Sequence, residues 1–310
     1  MLLDNYLLQE LVIFAQTGTL AQTARRLNVT QPTITRGLQK LESELAVQLF
    51  DRQPNRLTLT TTGKLAAQLA EKLLAAHDQT VTEIQNFARS QEEITIATTI
   101  PGPLNLLNQV DRTSLPPLKI NANLVRDSLV QRLQANEATV IIADHALTLT
   151  TTTTTDTTTS TSNKIVGSDE LIATYLGTEN LAVNLNRFMY QAGQTTISFT
   201  ELAGISFLVL TEIGPWRQII QHNIPRAKFL YQKEQAALTE ISQYSDFPYF
   251  STNLSPLRPA SPETYRDHDS RIQIPITDPT AQMPVYANYL QRNRAQVQPL
   301  IDQLIDLWPH

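Results

Sequence analysis

The stretch Asn28-Val29-Thr30-Gln31-Pro32-Thr33-Ile34-Thr35-Arg36-Gly37-Leu38-Gln39-Lys40-Leu41 decides the N-terminal fold. Ile34, Leu38, Leu41 and then Leu45 recur at spacings of three and four, which draws one apolar stripe along a helix. Thr30 stands where a side-chain oxygen can cap that helix. Pro32 falls in its first turn, where a missing N–H leaves no bond unmade. Working back, Leu20, Ala24 and Leu27 make a shorter helical stripe, and Leu7, Leu11 and Phe14 a third. Two short helices meeting at a tight turn read as a helix-turn-helix. Working forward, Leu57 and Leu59 alternate with Thr58 and Thr60 beyond the turn signal Pro54-Asn55, so a small β-hairpin follows.

With the apolar stripe turned inward, Gln31, Thr33, Thr35, Arg36, Gln39 and Lys40 remain on the outer face of the capped helix. These side chains suit DNA. Gln pairs bidentately with adenine, Thr touches a thymine methyl or a phosphate, and Arg grips guanine or phosphate. Pro32 at the helix start and Arg25 on the preceding helix complete the candidate set. Arg52 and Arg56, near the hairpin tip, make that hairpin a wing reaching phosphate or the minor groove. Gly37 in mid-helix costs about 1 kcal/mol relative to Ala, which points to close approach by another helix or by DNA.

The charge distribution agrees. The 310 residues carry 24 Lys+Arg against 29 Asp+Glu, a formal charge of −5. Residues 1–91 carry a net +1 and residues 92–310 a net −6, and from Leu11 to Leu41 there are four basic residues and no acid. Cysteine is absent, which excludes disulfides, thiolate metal sites, cysteine nucleophiles and thiol-based redox sensing. No secretory leader pattern opens the chain and no uncharged apolar run has membrane-spanning length. The expected compartment is the cytoplasm, with no membrane partner.

Residues Phe14, Thr19-Leu20-Ala21, Ala24-Arg25-Arg26-Leu27, Val29-Thr30-Gln31-Pro32, Thr35-Arg36, Leu38, Leu41-Glu42, Leu45, Leu49-Phe50-Asp51-Arg52, Leu57-Thr58-Leu59-Thr60 and Gly63 together resemble the winged helix-turn-helix of LysR-type transcriptional regulators. Three positions depart from that pattern. Thr23 replaces a packing alanine, Thr35 a serine, and Ala46 a glycine that ends the third helix. The last implies a helix end without a left-handed glycine cap, or a different route into the wing.

Thr60 to Ser90 contains no Pro, and its only Gly is Gly63. Ala67, Ala70, Leu74, His77, Val81, Ile84 and Ala88 follow alternating steps of three and four, a heptad-like seam that one helix cannot bury alone. The seam packs either on its own C-terminal domain or on a second copy. The resemblance favours the second, with Leu74, Val81 and Ile84 as dimerisation residues. His77 on the seam reads as a packed histidine rather than a pH sensor.

Beyond residue 91 the order is strand, helix, strand, helix, strand: Ile94–Thr99, a helix through Leu104, Leu107 and Val110, Leu118–Val125, Ser128–Asn136 and Ala138–Ala143. That order implies a parallel doubly wound sheet, whose ligands lie beyond the carboxyl ends of its strands. Thr98, Thr99, Ile100, Asp127 and Ser128 are the ligand candidates there. The order also resembles the effector-binding domain of the same family, a two-lobed, periplasmic-binding-protein-like (type 2) domain.

The resemblance implies an α/β chain in three parts. Residues 1–60 form the winged helix-turn-helix, 61–91 the linker and dimerisation helix, and 92–310 the effector domain. Lobe I takes residues 92–163 and 267–310, and lobe II residues 164–266. Second-lobe strands fall at Leu171–Tyr175 and Ile205–Leu210, and a final helix at Tyr286–Leu307. Thr211 to Trp216 and Ser242 to Phe247 are expected on the cleft, adding Thr211, Gly214, Tyr244 and Ser245 to the effector set. Arg126, Arg187 and Arg217 are the cations available to an anionic metabolite. The Thr- and Ser-rich run from Thr148 to Asn163 reads as an extended surface segment.

His-Glu-x-x-His, a glycine-rich nucleotide fingerprint and Gly-x-Ser-x-Gly are all missing. Asp267-His268-Asp269 reads as a polar loop, since successive residues of an extended chain point to opposite faces. No catalytic residue, metal or cofactor is therefore expected. The expected function is a ligand-responsive DNA-binding regulator. It would bind an interrupted palindrome as a dimer of dimers, with a small-molecule effector between the lobes and RNA polymerase as a further candidate partner. The alternative is a DNA-bound regulator whose C-terminal domain is an interaction scaffold without effector.

Overall fold

A computed structural model of the chain describes residues 3–53, 56–148, 170–255 and 271–309. It divides into two compact units, Met1–Gln85 and Asn86–His310. Among the described residues no helix is long and apolar enough to cross a membrane.

The first unit runs α1 (Asn5–Thr17), α2 (Leu20–Arg26), α3 (Gln31–Leu45), β1 (Phe50–Gln53) and β2 (Arg56–Leu59), then enters α4 (Thr61–Ser90). A side chain caps the start of each of the first three helices, Thr30 being the cap expected for α3. The side chain of Asp4 accepts from Tyr6 N at 2.9 Å, that of Thr19 from Gln22 N at 3.3 Å and that of Thr30 from Thr33 N at 3.4 Å. The stripes Leu7, Leu11, Phe14 and Ile34, Leu38, Leu41 close on Leu49 and Phe50 in one core, with the Phe14 and Phe50 rings edge to face at 5.3 Å. Thr23 is fully buried there. Its hydroxyl bonds Thr19 O and the Thr17 hydroxyl, both at 2.8 Å, so the departure from alanine leaves no polar group unsatisfied.

Ala46 corrects an expectation. α3 does end in the left-handed conformation, with Ala46 itself at φ 53° and ψ 32°. A Cβ is disfavoured in that region by about 1–2 kcal/mol. Ala46→Gly, at this exposed position, is therefore expected to raise the stability of the head by about 0.5–1 kcal/mol, measurable by denaturant unfolding.

The second unit contains β3 (Ile94–Thr98), α5 (Gly102–Leu107), β4 (Leu118–Ile120), α6 (Leu129–Gln134), β5 (Val140–Ala143), β6 (Leu171–Asn186), β7 (Ser206–Leu210), α7 (Trp216–Asn223), β8 (Lys228–Gln232), α8 (Gln235–Tyr244), β9 (Tyr249–Thr252), β10 (Arg271–Pro275), β11 (Gln282–Leu290) and α9 (Arg294–Asp306). Its strands pair in the order β4-β3-β5-β11-β6-β9-β7-β8, with β10 also on β6. β3, β4 and β5 are parallel, as are β7, β8 and β9, while β11 runs antiparallel to both β5 and β6.

One strand joins two lobes. Leu171–Asn180 of β6 pairs with β11, and from Leu181 the same strand pairs with β9 and β10. The expected strand Leu171–Tyr175 therefore belongs to the first sheet, not the second lobe. The second sheet starts at Leu181 and reaches Pro275 on β10, beyond the expected limit at residue 266. Tyr286–Leu290 is strand rather than the start of the last helix, because those residues alternate across β11 between its two neighbours. β4 ends at Ile120, short of the expected Val125. The Thr-rich run from Leu149 to Asn163, the expected crossings at 163/164 and 266/267, and Asp267-His268-Asp269 lie outside the described residues.

Candidate nucleic-acid interface and effector cleft

On α3 the inner stripe is fully buried, and Gln31, Pro32, Thr33, Arg36, Gln39 and Lys40 are exposed on the other side, with Thr35 half-buried. Thr35 returns its hydroxyl to Gln31 O at 3.0 Å, and Thr33 meets the Thr30 hydroxyl at 2.9 Å. Lys40, exposed, lies 3.8 Å from the half-buried Glu44, a long contact that holds it weakly. Arg25 and Arg26 are exposed in the last turn of α2. One helix thus presents a contiguous polar and basic face while its opposite face supplies the core.

The wing is fastened to this helix by Glu42. Its Oε1 accepts the N–H groups of Leu49 and Phe50 at 2.9 and 3.0 Å, and its Oε2 accepts Arg52 Nη2 at 2.8 Å. Burial would raise this carboxyl, but the Arg52 guanidinium and the two backbone N–H groups together hold it below the usual carboxylate range. The Arg52 guanidinium, expected on DNA, thus also fixes the wing through Nη2 while its side chain stays half exposed. β1 and β2 pair from Phe50↔Leu59 to Gln53↔Arg56. The Pro54-Asn55 turn and the Arg56 side chain lie outside the described residues.

Gly37 has a partner that local sequence could not name. A Cβ there would lie 1.7 Å from Oε2 of Glu10, a carboxyl 1% exposed on α1 whose Oε2 has no hydrogen-bond partner. Burial, reinforced by nearby Asp4, pushes its pKa up to about 7. The signal in the sequence is a pair of anomalies: an acid on the Leu7–Leu11–Phe14 stripe and a glycine in mid-helix.

In the second unit the carboxyl edges of both parallel strand sets face the middle of β6. β5 ends opposite Tyr286 at Ala143, and β9 ends opposite Leu181 at Thr252. Thr99 and Ile100, after β3, meet Gly214, after β7: a Cβ on Gly214, whose φ is 59°, would fall 2.6 Å from Thr99 O. Across the same junction Arg126 Nη2 lies 2.6 Å from Glu212 Oε2, and Asn105 donates to Leu254 O at 2.9 Å. The structure thus brings Thr99, Ile100 and Gly214 together. Thr211 follows β7 and gives its hydroxyl to Gln232 O, while Asp127 and the exposed, left-handed Ser128 follow β4. Thr98 is fully buried with its hydroxyl bonded to Ile100 O at 2.6 Å.

Tyr244 and Ser245 are elsewhere. They end α8 and lead into the amino edge of β9, which pairs near Asn184, so the loop precedes a parallel strand instead of following one. That places them at the far edge of the second sheet, away from the cleft. Arg187, on the same edge, lies 4.9 Å over the Phe188 ring, and Arg217 4.5 Å over Tyr231, so the three candidate cations are not gathered at one place.

Four cleft residues escaped the sequence reading. Asp144 and His145 follow β5, with Asp144 Oδ1 accepting the Thr99 hydroxyl at 3.2 Å and lying 3.1 Å from His145 Nδ1. Glu179 lies within β6, and Thr252 ends β9 and gives Glu179 its hydroxyl at 2.8 Å. Among the described residues no group of His, Cys, Asp and Glu has metal-holding geometry.

The family profile described as bacterial regulatory helix-turn-helix protein, lysR family, matches residues 7–64. The uncharacterised HTH-type transcriptional regulator YbhD of Escherichia coli (strain K12) is 38% identical over 76 residues, 24% of this chain and 24% of that protein. The HTH-type transcriptional regulator TcbR of Pseudomonas sp. (strain P51) is 31% identical over 133 residues, 41% of this chain and 45% of that one. The matches therefore span less than half the length of these relatives. The solved structure of Vibrio fischeri DarR in complex with DNA has the same fold, with a TM-score of 0.58 at 15% identity over 99% of both chains. The capped α3, its buried stripe and the Glu42-fastened wing fall inside the matched segment, so residues 7–64 are similar to the helix-turn-helix of bacterial regulators of the lysR family.

Proposed function

We propose that this chain is a DNA-binding transcription regulator that lays α3 in the major groove and its wing against the adjoining backbone. The observation that carries the reading is the exposed face of Gln31, Thr33, Arg36, Gln39 and Lys40 on a helix whose other side is fully buried. Such a face offers base-reading forks and phosphate contacts from a rigid element. Two chains join along α4, and two dimers read an interrupted palindrome. The apolar residues left exposed on α4 support the dimer.

A small-molecule effector binds at the junction of the two lobes, on Thr99, Ile100, Asp127, Ser128, Thr211 and Gly214. The support is topological, since both sets of parallel strands turn their carboxyl edges to that junction. A change of lobe angle then alters the spacing of the DNA-binding pairs and the bend of the DNA. RNA polymerase is the further expected partner.

Binding-site selection from random DNA supplies the operator for the test. Arg36→Ala is expected to weaken operator binding by on the order of 1–3 kcal/mol and to relax specificity at one base pair. Unaltered affinity and specificity would remove Arg36 from the recognition set.

A further inference from the structure

One carboxyl at the lobe junction has an incomplete set of partners. Glu179 lies beside the point where β6 passes from the first sheet to the second, and it is 1% exposed. Gly102, opening α5 in the first lobe, comes so close that a Cβ there would lie 2.3 Å from Glu179 Oε1. From the second lobe Thr252 donates to Oε1, and Trp216 brings its indole to the same carboxyl. Yet Oε2 has no hydrogen-bond partner, and the Trp216 N–H completes no bond.

Both polar neighbours are donors, and donors favour the ionised carboxylate. Burial opposes ionisation more strongly, so the pKa is raised. What the surroundings withhold is a positive charge: among the described residues no cationic side chain bears on Glu179. The cations nearest in sequence to the cleft, Arg126 and Arg217, are turned to Glu212 and to the Tyr231 ring. The junction holds a buried acid with the Thr252 hydroxyl on Oε1 and no donor bonded to Oε2. An anionic effector would add a second negative charge to that burial, whereas a cation would relieve it.

We infer that the effector is an organic ammonium ion, and that Glu179 anchors it through Oε2 with the Trp216 indole alongside. This rests on the reading of the lobe junction as the effector site. The ammonium donates to Oε2 and gives the buried charge its partner. Entry requires the lobes to part. The strap across the junction, Arg126 to Glu212, is exposed on both sides and therefore weak.

The test uses the full chain at pH 8 with putrescine, agmatine and phenethylamine as probes. Succinate, phenylpropanoate and 2-phenylethanol serve as anionic and neutral counterparts of similar size. At least one amine is expected to raise the thermal midpoint by several degrees while its counterparts do not. Glu179→Gln, which keeps the shape and removes the charge, is expected to cost that amine at least tenfold in affinity by calorimetry. The comparison of amine with counterpart is made on the unaltered chain and stands even if the variant misfolds. An anionic or neutral probe that stabilises the chain when no amine does overturns the charge assignment and leaves an effector between the lobes. An amine that binds Glu179→Gln as tightly as the parent overturns the anchor. No response to any probe counts against the effector reading together with this one.

Discussion

A chain carrying Val81→Asp and Ile84→Asp is expected to scatter light with the mass of a single copy, and to bind its operator about 10²- to 10⁴-fold more weakly than the parent. The loss is large because a dimer engages the second half-site as an intramolecular event, and a monomer forfeits that effective concentration. α4 is 30 residues long. Ala67 and Ala70 face the core of the winged head, and Leu74 packs against its rim. Further along, Val81, Ile84 and Phe87 are 40%, 65% and 47% exposed, and Leu65, Leu69 and Leu73 are also exposed. Apolar residues left in water along a helix this long are the surface that the proposed second copy would cover. Neither substitution touches the head core, so the head itself keeps its stability. An unchanged mass by light scattering would sink the dimer seam.

The second large effect is a coupling between Glu10 and Gly37. Gly37→Ala in the native chain must displace the Glu10 carboxyl, whereas in a Glu10→Ala background the new methyl enters space already vacated and keeps its helix-propensity gain of about 1 kcal/mol. A double-mutant cycle by denaturant unfolding is expected to give an interaction of about 1–3 kcal/mol. Additive effects would mean that the carboxyl does not occupy that space.

The same acid makes the head pH-sensitive. Its folded pKa, about 7, lies above the ordinary 4.5, so between those values the unfolded chain has released a proton that the folded one keeps. Stability from this group is therefore greatest below pH 4.5, falls as pH rises toward 7, and levels off above it. Glu10→Gln is expected to flatten that decline. A pH profile of the melting temperature identical in parent and variant would contradict the raised pKa.

The head was legible because its determinants are local. Thr30, Pro32 and the stripe Ile34–Leu38–Leu41 specify a capped helix and its outer face without reference to anything distant. The linker seam was legible as a period but not in its use. The period marks which residues are apolar, and only the packing decides that Ala67 and Ala70 serve the head while Val81 and Ile84 do not. In the second unit the alternation of strands and helices announced an α/β domain. Strand partners did not follow from it, and with them went the assignment of Leu171–Tyr175 to a lobe and of Tyr244 and Ser245 to the cleft. A loop's edge depends on strand direction within a sheet, which is a property of pairing rather than of the loop's own residues.

Glu179 marks the same division. As sequence it is one acid in a strand, and its place between Gly102, Trp216 and Thr252 exists only once three distant segments close on β6. By itself the sequence determined the recognition helix, its N-cap, its outward chemistry and the existence of a long seam, all set by interactions within a few residues of one another. The tertiary structure alone decided which strand joins the lobes, which loops share the cleft, why Gly37 is a glycine and where a buried acid lacks a partner. Those are contacts between residues far apart in the chain, and burial, unlike periodicity, is not a local property.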